Sequence, residues 1–211
     1  MNIHILINIL IKPFRKKKMA LFLEIFNPQP TDKILDVGGT IFNWKLINYK
    51  NDVVLLNLSE PEQSVDGEMK NISYVRGDAL SLAYEDNSFD ICFSNSVIEH
   101  VGDFKDQQLF AKEISRVGKK LWLQTPARSF FFEPHYLTPF IHWLPKNFQK
   151  KIMKNFTLRG LITRPSKNQV EDFVNDIRLL TFKEIKNLFP GCLIKKERFL
   201  FMTKAYYVIR R

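Results

Sequence analysis

Side chains able to move a proton follow two apolar runs of this chain of 211 residues. His100 comes shortly after the run Ile91-Cys92-Phe93, and His135 comes after a second run that ends near Gln124. Histidine titrates near neutral pH, so either residue can act as an acid or a base in catalysis. Both are therefore candidate catalytic residues, with His100 the first choice. The alternative is a histidine that shapes a pocket or bonds to backbone.

Glycine and carboxylate residues in turns indicate a ligand site elsewhere in the chain. Asp36-Val37-Gly38-Gly39-Thr40 follows the apolar pair Ile34-Leu35, and Gly77-Asp78 follows another apolar run. Glycines let the backbone approach a ligand closely, and the amides at the start of a following helix have no partner within the helix. Ligands of open parallel sheets bind beyond the carboxyl ends of the strands, where these turns are expected.

The spacing of apolar residues predicts strands and helices in alternation. Short apolar runs bounded by turn residues predict strands at 33–37, 53–57, 72–75, 91–93 and 120–124. Helical spacing predicts helices at 19–26, 41–49, 104–117 and 181–189. The last two strands, 193–199 and 202–209, predict an antiparallel hairpin. The alternation predicts an α/β fold with a mostly parallel sheet and right-handed crossovers.

Residues 77–101, which read GDALSLAYEDNSFDICFSNSVIEHV, resemble the class I S-adenosylmethionine-dependent methyltransferases, in their type 11-like small-molecule branch. The resemblance covers residues 31–126 well and the remainder loosely. It implies a Rossmann-like methyltransferase fold: a mostly parallel central sheet, a C-terminal antiparallel hairpin, and a helical cap inserted after the fifth strand. It also implies S-adenosylmethionine as the cofactor.

The resemblance further implies the residues that hold this cofactor. The glycine turn would cup the methionine part, Asn57 stands where an acidic residue holds the ribose hydroxyls, and Asp78 stands where a carboxylate reads the adenine amino group. The whole implied cofactor-binding set is Asp36, Gly38, Gly39, Thr40, Asn57, Leu58, Asp78, Ala79 and Asn95.

Three positions depart from the family pattern. Thr40 and Phe42 replace two glycines, and Asn57 replaces the acidic ribose ligand. Asparagine can still bond hydroxyls, but without the charge assistance that strengthens such bonds. Glu60 is a candidate substitute for that carboxylate, unless it serves only as a favourable charge at a helix start. An alternative function follows from these departures, namely a cofactor-binding protein without catalysis.

The cysteine and histidine spacing predicts no metal site. Cys92 and Cys192 lie far apart, and no Cys/His group has the spacing of a metal site. Two separated cysteines are typical of a reducing compartment, so we expect a cytoplasmic protein.

The charge and the N-terminal segment indicate an anionic partner. The formal net charge is +10, and the apolar residues 1–11 are followed by the basic stretch Lys12–Lys18. Eleven helical residues span about 17 Å, which is short of the roughly 30 Å bilayer core. The segment therefore predicts either an anchor lying in the membrane interface or a helix packed on the domain or on a second subunit.

A second cationic region lies between Glu133 and Glu171, where lysines, arginines and aromatic residues occur without any acidic residue. The two cationic regions together predict peripheral contact with the inner membrane surface and a small, lipid-linked or otherwise anionic acceptor. An RNA methyltransferase, whose cap would bind phosphates, is the less favoured alternative. The oligomeric state stays open.

The predicted organisation has four segments, and the predicted function is methyl transfer from S-adenosylmethionine. The segments are an N-terminal apolar and basic part (1–30), the cofactor-binding core (31–126), the cap or substrate insertion (127–180), and a C-terminal helix and hairpin that complete the core (181–211).

Overall fold

The computed structural model describes residues 3–59 and 71–211, with side chains from residue 12 onward. Glu60 lies outside the described residues. The helices are α1 Ile3–Phe26, α2 Ile41–Leu46, α3 Phe104–Val117, α4 Lys146–Phe156, α5 Leu158–Thr163, α6 Lys167–Asp176 and α7 Phe182–Leu188. The strands are β1 Ile34–Val37, β2 Val53–Asn57, β3 Ile72–Arg76, β4 Phe89–Asn95, β5 Gly118–Pro126, β6 Phe132–Glu133, β7 Thr138–Pro139, β8 Leu193–Phe199 and β9 Met202–Arg210.

Within the described ranges, seven strands form one sheet in the order β3-β2-β1-β4-β5-β9-β8. Strand β1 pairs in parallel with β2 and β4, and β2 pairs in parallel with β3. Strands β8 and β9 form the antiparallel C-terminal hairpin. The predicted α/β fold with a mostly parallel sheet is confirmed.

Helix α1 is one continuous helix through the segment that the sequence divides into an apolar part, a basic part and a helix at 19–26. Its end at Phe26 is the predicted one, because Asn27 has φ 40° and Pro28 follows. The side chains of Lys16 and Lys17 are exposed. Arg15 is partly buried, and its guanidinium lies 5.2 Å from the centre of the Phe42 ring. None of the described helices is long and apolar enough to cross a bilayer.

The last turns of α1 pack into an aromatic cluster that supports the sheet. Phe22 is fully buried, and its ring lies 5.1 Å from that of Phe93 on β4 and 6.0 Å from that of Trp44 on α2. Trp122 on β5 stacks on Phe93 at an interplanar angle of 8°. Large aromatic side chains bury much apolar surface. The cluster therefore holds α2 against the sheet, through Trp44.

The chain falls into two compact units, and each has its own core. The first comprises Met1–Asn95, Glu113–Trp122 and Arg210–Arg211, and the second comprises Ser96–Lys112 and Leu123–Ile209. The division into four segments at 1–30, 31–126, 127–180 and 181–211 stays a prediction.

Helices α4, α5 and α6 lie in the second unit, within the segment 127–180 that the sequence predicts as a cap, and we call these three helices the cap. The buried core of the cap includes Tyr136, Met153 and Val174. Helices α4 and α5 approach closely at Gly160, where a Cβ atom would overlap the backbone of Met153 and Lys154. Gly160 is therefore required by packing.

Candidate active site

The carboxyl ends of β1, β2 and β3 meet at one edge of the first unit. The register pairs Val37 with Leu56 and Asn57 with Arg76. The glycine turn after β1, the end of β2 and the Gly77-Asp78 turn after β3 are therefore neighbours. Strand β4 joins them, because Asp36 pairs with Phe93 and Asn95 ends that strand.

The two glycines of the first turn are required for different physical reasons. Gly38 has φ +74°, a left-handed conformation that side chains other than glycine rarely adopt. Gly39 lies so close to the Asp36 carboxylate that a Cβ atom would overlap it. Thr40 has φ −130° and ψ 152°, which any residue adopts, so threonine in place of glycine costs nothing in backbone geometry here.

Asp36 lies fully buried beneath this turn. Its Oδ2 accepts a hydrogen bond of 2.8 Å from Trp44 Nε1, while Oδ1 has no partner among the described residues. Burial raises the pKa of Asp36 to about 7, although the Trp44 bond pulls it down. A cation bound on the turn would be attracted to this carboxylate, and S-adenosylmethionine carries an ammonium and a sulfonium group.

Asn57 has a role in the structure that the sequence did not indicate. Its Nδ2 donates to the Gly39 carbonyl at 3.0 Å, which ties the end of β2 to the glycine turn. An aspartate could not make this bond because a carboxylate only accepts. Leu58, the next residue, is 71% exposed and offers an apolar surface at the same edge.

Asp78 caps its own turn. Its Oδ1 accepts from Leu80 N at 2.9 Å, in a loop that α3 anchors through Arg116. Arg116 donates to the carbonyls of Leu82 and Tyr84 at 3.0 and 2.7 Å. The carboxylate is thereby held at the strand edge beside Ala79. The glycine turn, the Asn57 amide and the Asp78 carboxylate together fit a ligand that has cationic, hydroxyl and amino groups. S-adenosylmethionine has all three.

His100 and His135, the two predicted catalytic histidines, are in contact within the second unit. Their Nε2 atoms lie 3.1 Å apart, and each Nδ1 faces a carboxylate: His100 faces Asp176 at 2.7 Å and His135 faces Glu133 at 2.6 Å. Because a carboxylate accepts hydrogen bonds, the Nδ1 atom of each ring carries the proton.

Glu99 completes this cluster. It is fully buried, and its Oε2 accepts from Thr125 Oγ1 at 2.9 Å, while Oε1 has no partner among the described residues. Burial raises the pKa of Glu99. Burial lowers the pKa of His135, but the bond and charge of Glu133 outweigh it, so the pKa is raised overall.

The turn that carries Glu99 and His100 is held by a network of three hydrogen bonds. Gln107 Nε2 donates to Ile98 O and Arg178 O at 2.8 and 2.9 Å, and Arg178 N donates to Glu99 O at 2.8 Å. Gln107 is fully buried, so the short 3-10 turn Ile98–His100 has a fixed position. Asp176 lies 76 residues from its partner His100, so no local spacing indicated it, whereas Glu133 lies only two residues from its partner His135.

The fold defines a class of protein. A mostly parallel sheet with a terminal antiparallel hairpin is the fold of the class I methyltransferases, whose cofactor is S-adenosylmethionine. Residues 35–121 match the family described as Methyltransferase domain, so this region is a methyltransferase domain of that class.

Relatives of known name cover part of this chain. The demethylmenaquinone methyltransferase of Bacillus mycoides (strain KBAB4) is 28% identical over an alignment of 161 residues that covers 69% of this chain and 65% of that protein. The corresponding enzyme of Bacillus cereus (strain B4264) is 27% identical over the same shares. The chain thus matches a little under two thirds of the length of these curated relatives.

The solved structure of magnesium protoporphyrin IX methyltransferase from Synechocystis PCC 6803, with bound S-adenosylhomocysteine, has a similar fold. It gives a TM-score of 0.57 at 13% identity and covers 95% of this chain and 83% of that one. A phosphoethanolamine N-methyltransferase from Haemonchus contortus gives 0.56 at 18% identity, over 85% of this chain and 38% of that one. At such identities these structures support the fold alone.

Proposed function

We propose that this protein transfers a methyl group from S-adenosylmethionine to a small-molecule acceptor. The observation that carries the proposal is the edge formed by β1, β2 and β3, where the glycine turn, Asn57 and Asp78 converge. The cofactor supplies a methyl group already activated on a sulfonium. The chain has to bind it and orient an acceptor in line with the S–CH3 bond.

Each part of the edge has its own task. The turn at Gly38 and Gly39 admits the methionine part of the cofactor close to the backbone, with the Asp36 carboxylate beneath it. Asn57 holds the turn through Nδ2 and offers Oδ1 to a ribose hydroxyl. Asp78 accepts from the adenine amino group. Leu58, Ala79 and Asn95 complete the proposed contact surface.

The cofactor experiment comes first and does not require the acceptor. We expect calorimetry to show one S-adenosylmethionine bound per chain, and mass spectrometry to detect the cofactor or S-adenosylhomocysteine in the purified protein. Formation of S-adenosylhomocysteine with demethylated quinones or phosphoethanolamine-type amines then tests transfer. A folded protein that binds neither form of the cofactor would contradict the proposal. Binding without turnover would favour the non-catalytic alternative.

The catalytic role of His100 and His135 stays a prediction. A hydroxyl or ammonium acceptor has to lose a proton, and the lone pair of an Nε2 atom could take it. The Nδ1 contacts with Asp176 and Glu133 support this assignment, because they leave Nε2 as the basic atom of each ring.

We propose in addition that the acceptor is lipid-linked or anionic, and that the cap meets an anionic membrane surface. The supporting observation is a group of exposed apolar side chains where α4 ends and α5 begins. Phe156 is 73% exposed and Leu158 53%, and Leu161 and Ile162 follow on the same face of α5 at spacings of three and four residues.

Cationic side chains accompany this apolar corner. Lys151, Lys154 and Arg164 are all exposed, and the stretch that contains them has no acidic residue. Apolar side chains can enter the interface while each lysine near an anionic surface contributes about 1 kcal/mol. Nucleic acid would use the charges but not the exposed leucines and phenylalanine. We name Phe156, Leu158, Leu161 and Ile162 with these three cations the cap surface.

Charge reversal in the full chain tests the cap surface. Co-sedimentation with vesicles of anionic or neutral lipid measures binding. At low salt we expect the wild type to sediment with the anionic vesicles and Lys151→Glu/Lys154→Glu to sediment less. Lys16→Glu/Lys17→Glu gives the contribution of α1. The matched control, Lys183→Glu/Lys186→Glu, removes the same charge on α7 and should keep wild-type binding. Absence of sedimentation in the wild type, or steep salt-dependent RNA binding instead, would contradict the membrane proposal.

A further inference from the structure

The cluster in the second unit has the composition of a metal site. Two imidazoles and one carboxylate, from Glu99, His100 and His135, place one ligand atom each within 4.8 Å of one another. Two histidines and a glutamate are the protein ligands of a common catalytic zinc site, and two histidines with one carboxylate also bind non-haem iron. The sequence predicted no metal because His135 lies 35 residues from His100, a separation that no metal-site spacing pattern includes.

The distance between the two histidines fits a shared ion. Two nitrogens that each lie about 2.0–2.1 Å from one ion are about 3.0–3.4 Å apart at ordinary ligand angles. The Nε2 atoms of His100 and His135 are 3.1 Å apart. Without an ion, this contact needs a proton between two nitrogens whose rings already carry a proton on Nδ1. The pair would then bear a positive charge.

Carboxylates already occupy the outer positions of such a site. A metal-bound histidine usually donates its other N–H to a carboxylate, which fixes the ring and raises its basicity. Both histidines do so, His100 to Asp176 and His135 to Glu133. Glu133 is 1% exposed, and it also accepts from His135 N at 2.9 Å, so its orientation is fixed.

Glu99 supplies the third ligand and an independent observation. Its Oε1 is buried without a partner among the described residues, which is costly for a carboxylate unless a proton or a bound cation balances its charge. The two imidazoles are 32% and 24% exposed, so solvent or a ligand can reach a further position on the ion.

We propose that Glu99, His100 and His135 bind one first-row divalent transition-metal ion through one carboxylate oxygen and two Nε2 atoms. Asp176 and Glu133 position the histidines. Three protein ligands leave at least one position for water or an acceptor atom, and the ion would bind a hydroxyl or carboxylate there as a Lewis acid. An ion on both Nε2 atoms uses the lone pairs that a histidine base needs, so the two assignments exclude each other.

The test uses the full-length, untagged protein and reads metal instead of activity. Elemental mass spectrometry of protein grown with iron, manganese and zinc should find one of these metals at about one per chain and thereby identify it. After treatment with a chelator, titration with Zn2+ should show one site. Bound Co2+ should give the visible absorption of a nitrogen and oxygen ligand set.

Variants assign the site to the cluster. His100→Gln and His135→Gln should each weaken Zn2+ binding at least 100-fold, and Glu133→Gln should weaken it about 10–100-fold as an outer-position change. His142→Gln is the matched control, because this histidine bonds to Arg128 O in the same unit and lies outside the cluster. It should bind as the wild type does. Circular dichroism verifies that each variant is folded.

Two results would contradict the metal-site proposal. A wild-type chain with no stoichiometric metal either as purified or after Zn2+ titration would leave the cluster as a proton-sharing pair. Equal affinity in the wild type and both cluster variants would place any bound metal elsewhere. Because the readout is metal content, failure of this proposal leaves cofactor binding intact, and failure of cofactor binding leaves the metal result intact.

Discussion

Single side chains at the strand edge combine ligand contact with support of the turns. Asp78 shows both tasks, because one oxygen caps its own loop and the residue is the proposed partner of the adenine amino group. Removing the whole side chain therefore loses both the loop cap and the ligand contact. Replacing the carboxylate by an amide removes only the charge and separates the two effects.

We expect Asp78→Asn to bind S-adenosylmethionine about 5–10-fold more weakly, since an amide keeps the Leu80 cap but loses the charge-assisted bond. Asp78→Ala loses both and should cost about 1.5–3 kcal/mol of binding free energy. Calorimetry on the two variants measures the difference. Asp52→Asn, an exposed change at the start of β2, is the control and should leave affinity unchanged. Wild-type affinity in folded Asp78→Ala would remove Asp78 from the site.

Asn57→Asp is the second change at residue scale. From the sequence alone, an acidic residue here looks like a return to the family pattern. In the structure, this substitution loses the hydrogen bond from Asn57 Nδ2 to Gly39 O. It also places a carboxylate oxygen next to that carbonyl oxygen, and the two repel each other. We expect a loss of about 1–3 kcal/mol in cofactor binding free energy by calorimetry.

Asn71→Asp provides the comparison for Asn57. Asn71 Nδ2 also donates to backbone, to Asn51 O at 2.6 Å, but at the opposite end of β2 and β3. The Asn71→Asp substitution should lower the thermal stability of the protein and leave the affinity of the folded protein for S-adenosylmethionine unchanged. Tighter binding by Asn57→Asp would show that the ribose contact outweighs support of the turn.

At the scale of elements, helix α1 joins two regions with different surroundings. Its last turns bury Met19 and carry Phe22 and Phe26 into the aromatic cluster, and its middle turns expose Phe14, Lys16 and Lys17. One helix therefore connects a cationic surface rigidly to the core beneath the glycine turn. The side chains of residues 1–11 lie outside the description, so the choice between interfacial anchor and packed helix stays a prediction.

Phe22→Ala should lower the free energy of unfolding by about 3–5 kcal/mol, because it opens a cavity among Phe93, Trp44 and Trp122. Phe14→Ala, on the same helix but 57% exposed, should change it by less than about 0.5 kcal/mol. Urea unfolding followed by tryptophan fluorescence measures both. Equal, small effects would mean that α1 does not pack stably on the sheet.

At the scale of the whole molecule, Asp36 links global stability to pH. Its pKa is raised to about 7 by burial, whereas an aspartate in the unfolded chain titrates near 3.9. Between these values the folded state holds a proton that the unfolded chain has released. The contribution of Asp36 to the unfolding free energy therefore falls as pH rises from about 4 to about 7, and then levels off.

Asp36→Asn removes this dependence and keeps an acceptor for Trp44 Nε1. The difference in unfolding free energy, variant minus wild type, should rise across pH 4–7 by at most about 4 kcal/mol and stay flat above it. Denaturation series at several pH values without cofactor measure it, and Asp52→Asn supplies the baseline. Parallel pH curves for Asp36→Asn and the wild type would contradict the raised pKa.

Local patterns in the sequence predicted much of the sheet. Short apolar runs bounded by turn residues identified β1, β2 and β4, the helical spacing of apolar residues identified α3 with its observed bounds, and the resemblance at residues 77–101 identified the class. Such features depend on near neighbours in the chain, which is why a single sequence shows them. The turn Asp36–Thr40, with Asn57 and Asp78 at strand ends, was also evident from position alone.

Other features depend on residues that only folding brings together. The bond from Asn57 to Gly39 follows from the register of β1 and β2, and the continuity of α1 through Pro13 has no local signal. The cluster of Glu99, His100 and His135, with Glu133 and Asp176 behind it, joins a turn after β4, the hairpin of β6 and β7, and the end of α6. Sequence spacing contains no information on such distances, because the contacts form only when separate elements pack. The residue types at the site were therefore predictable, and their partners were not.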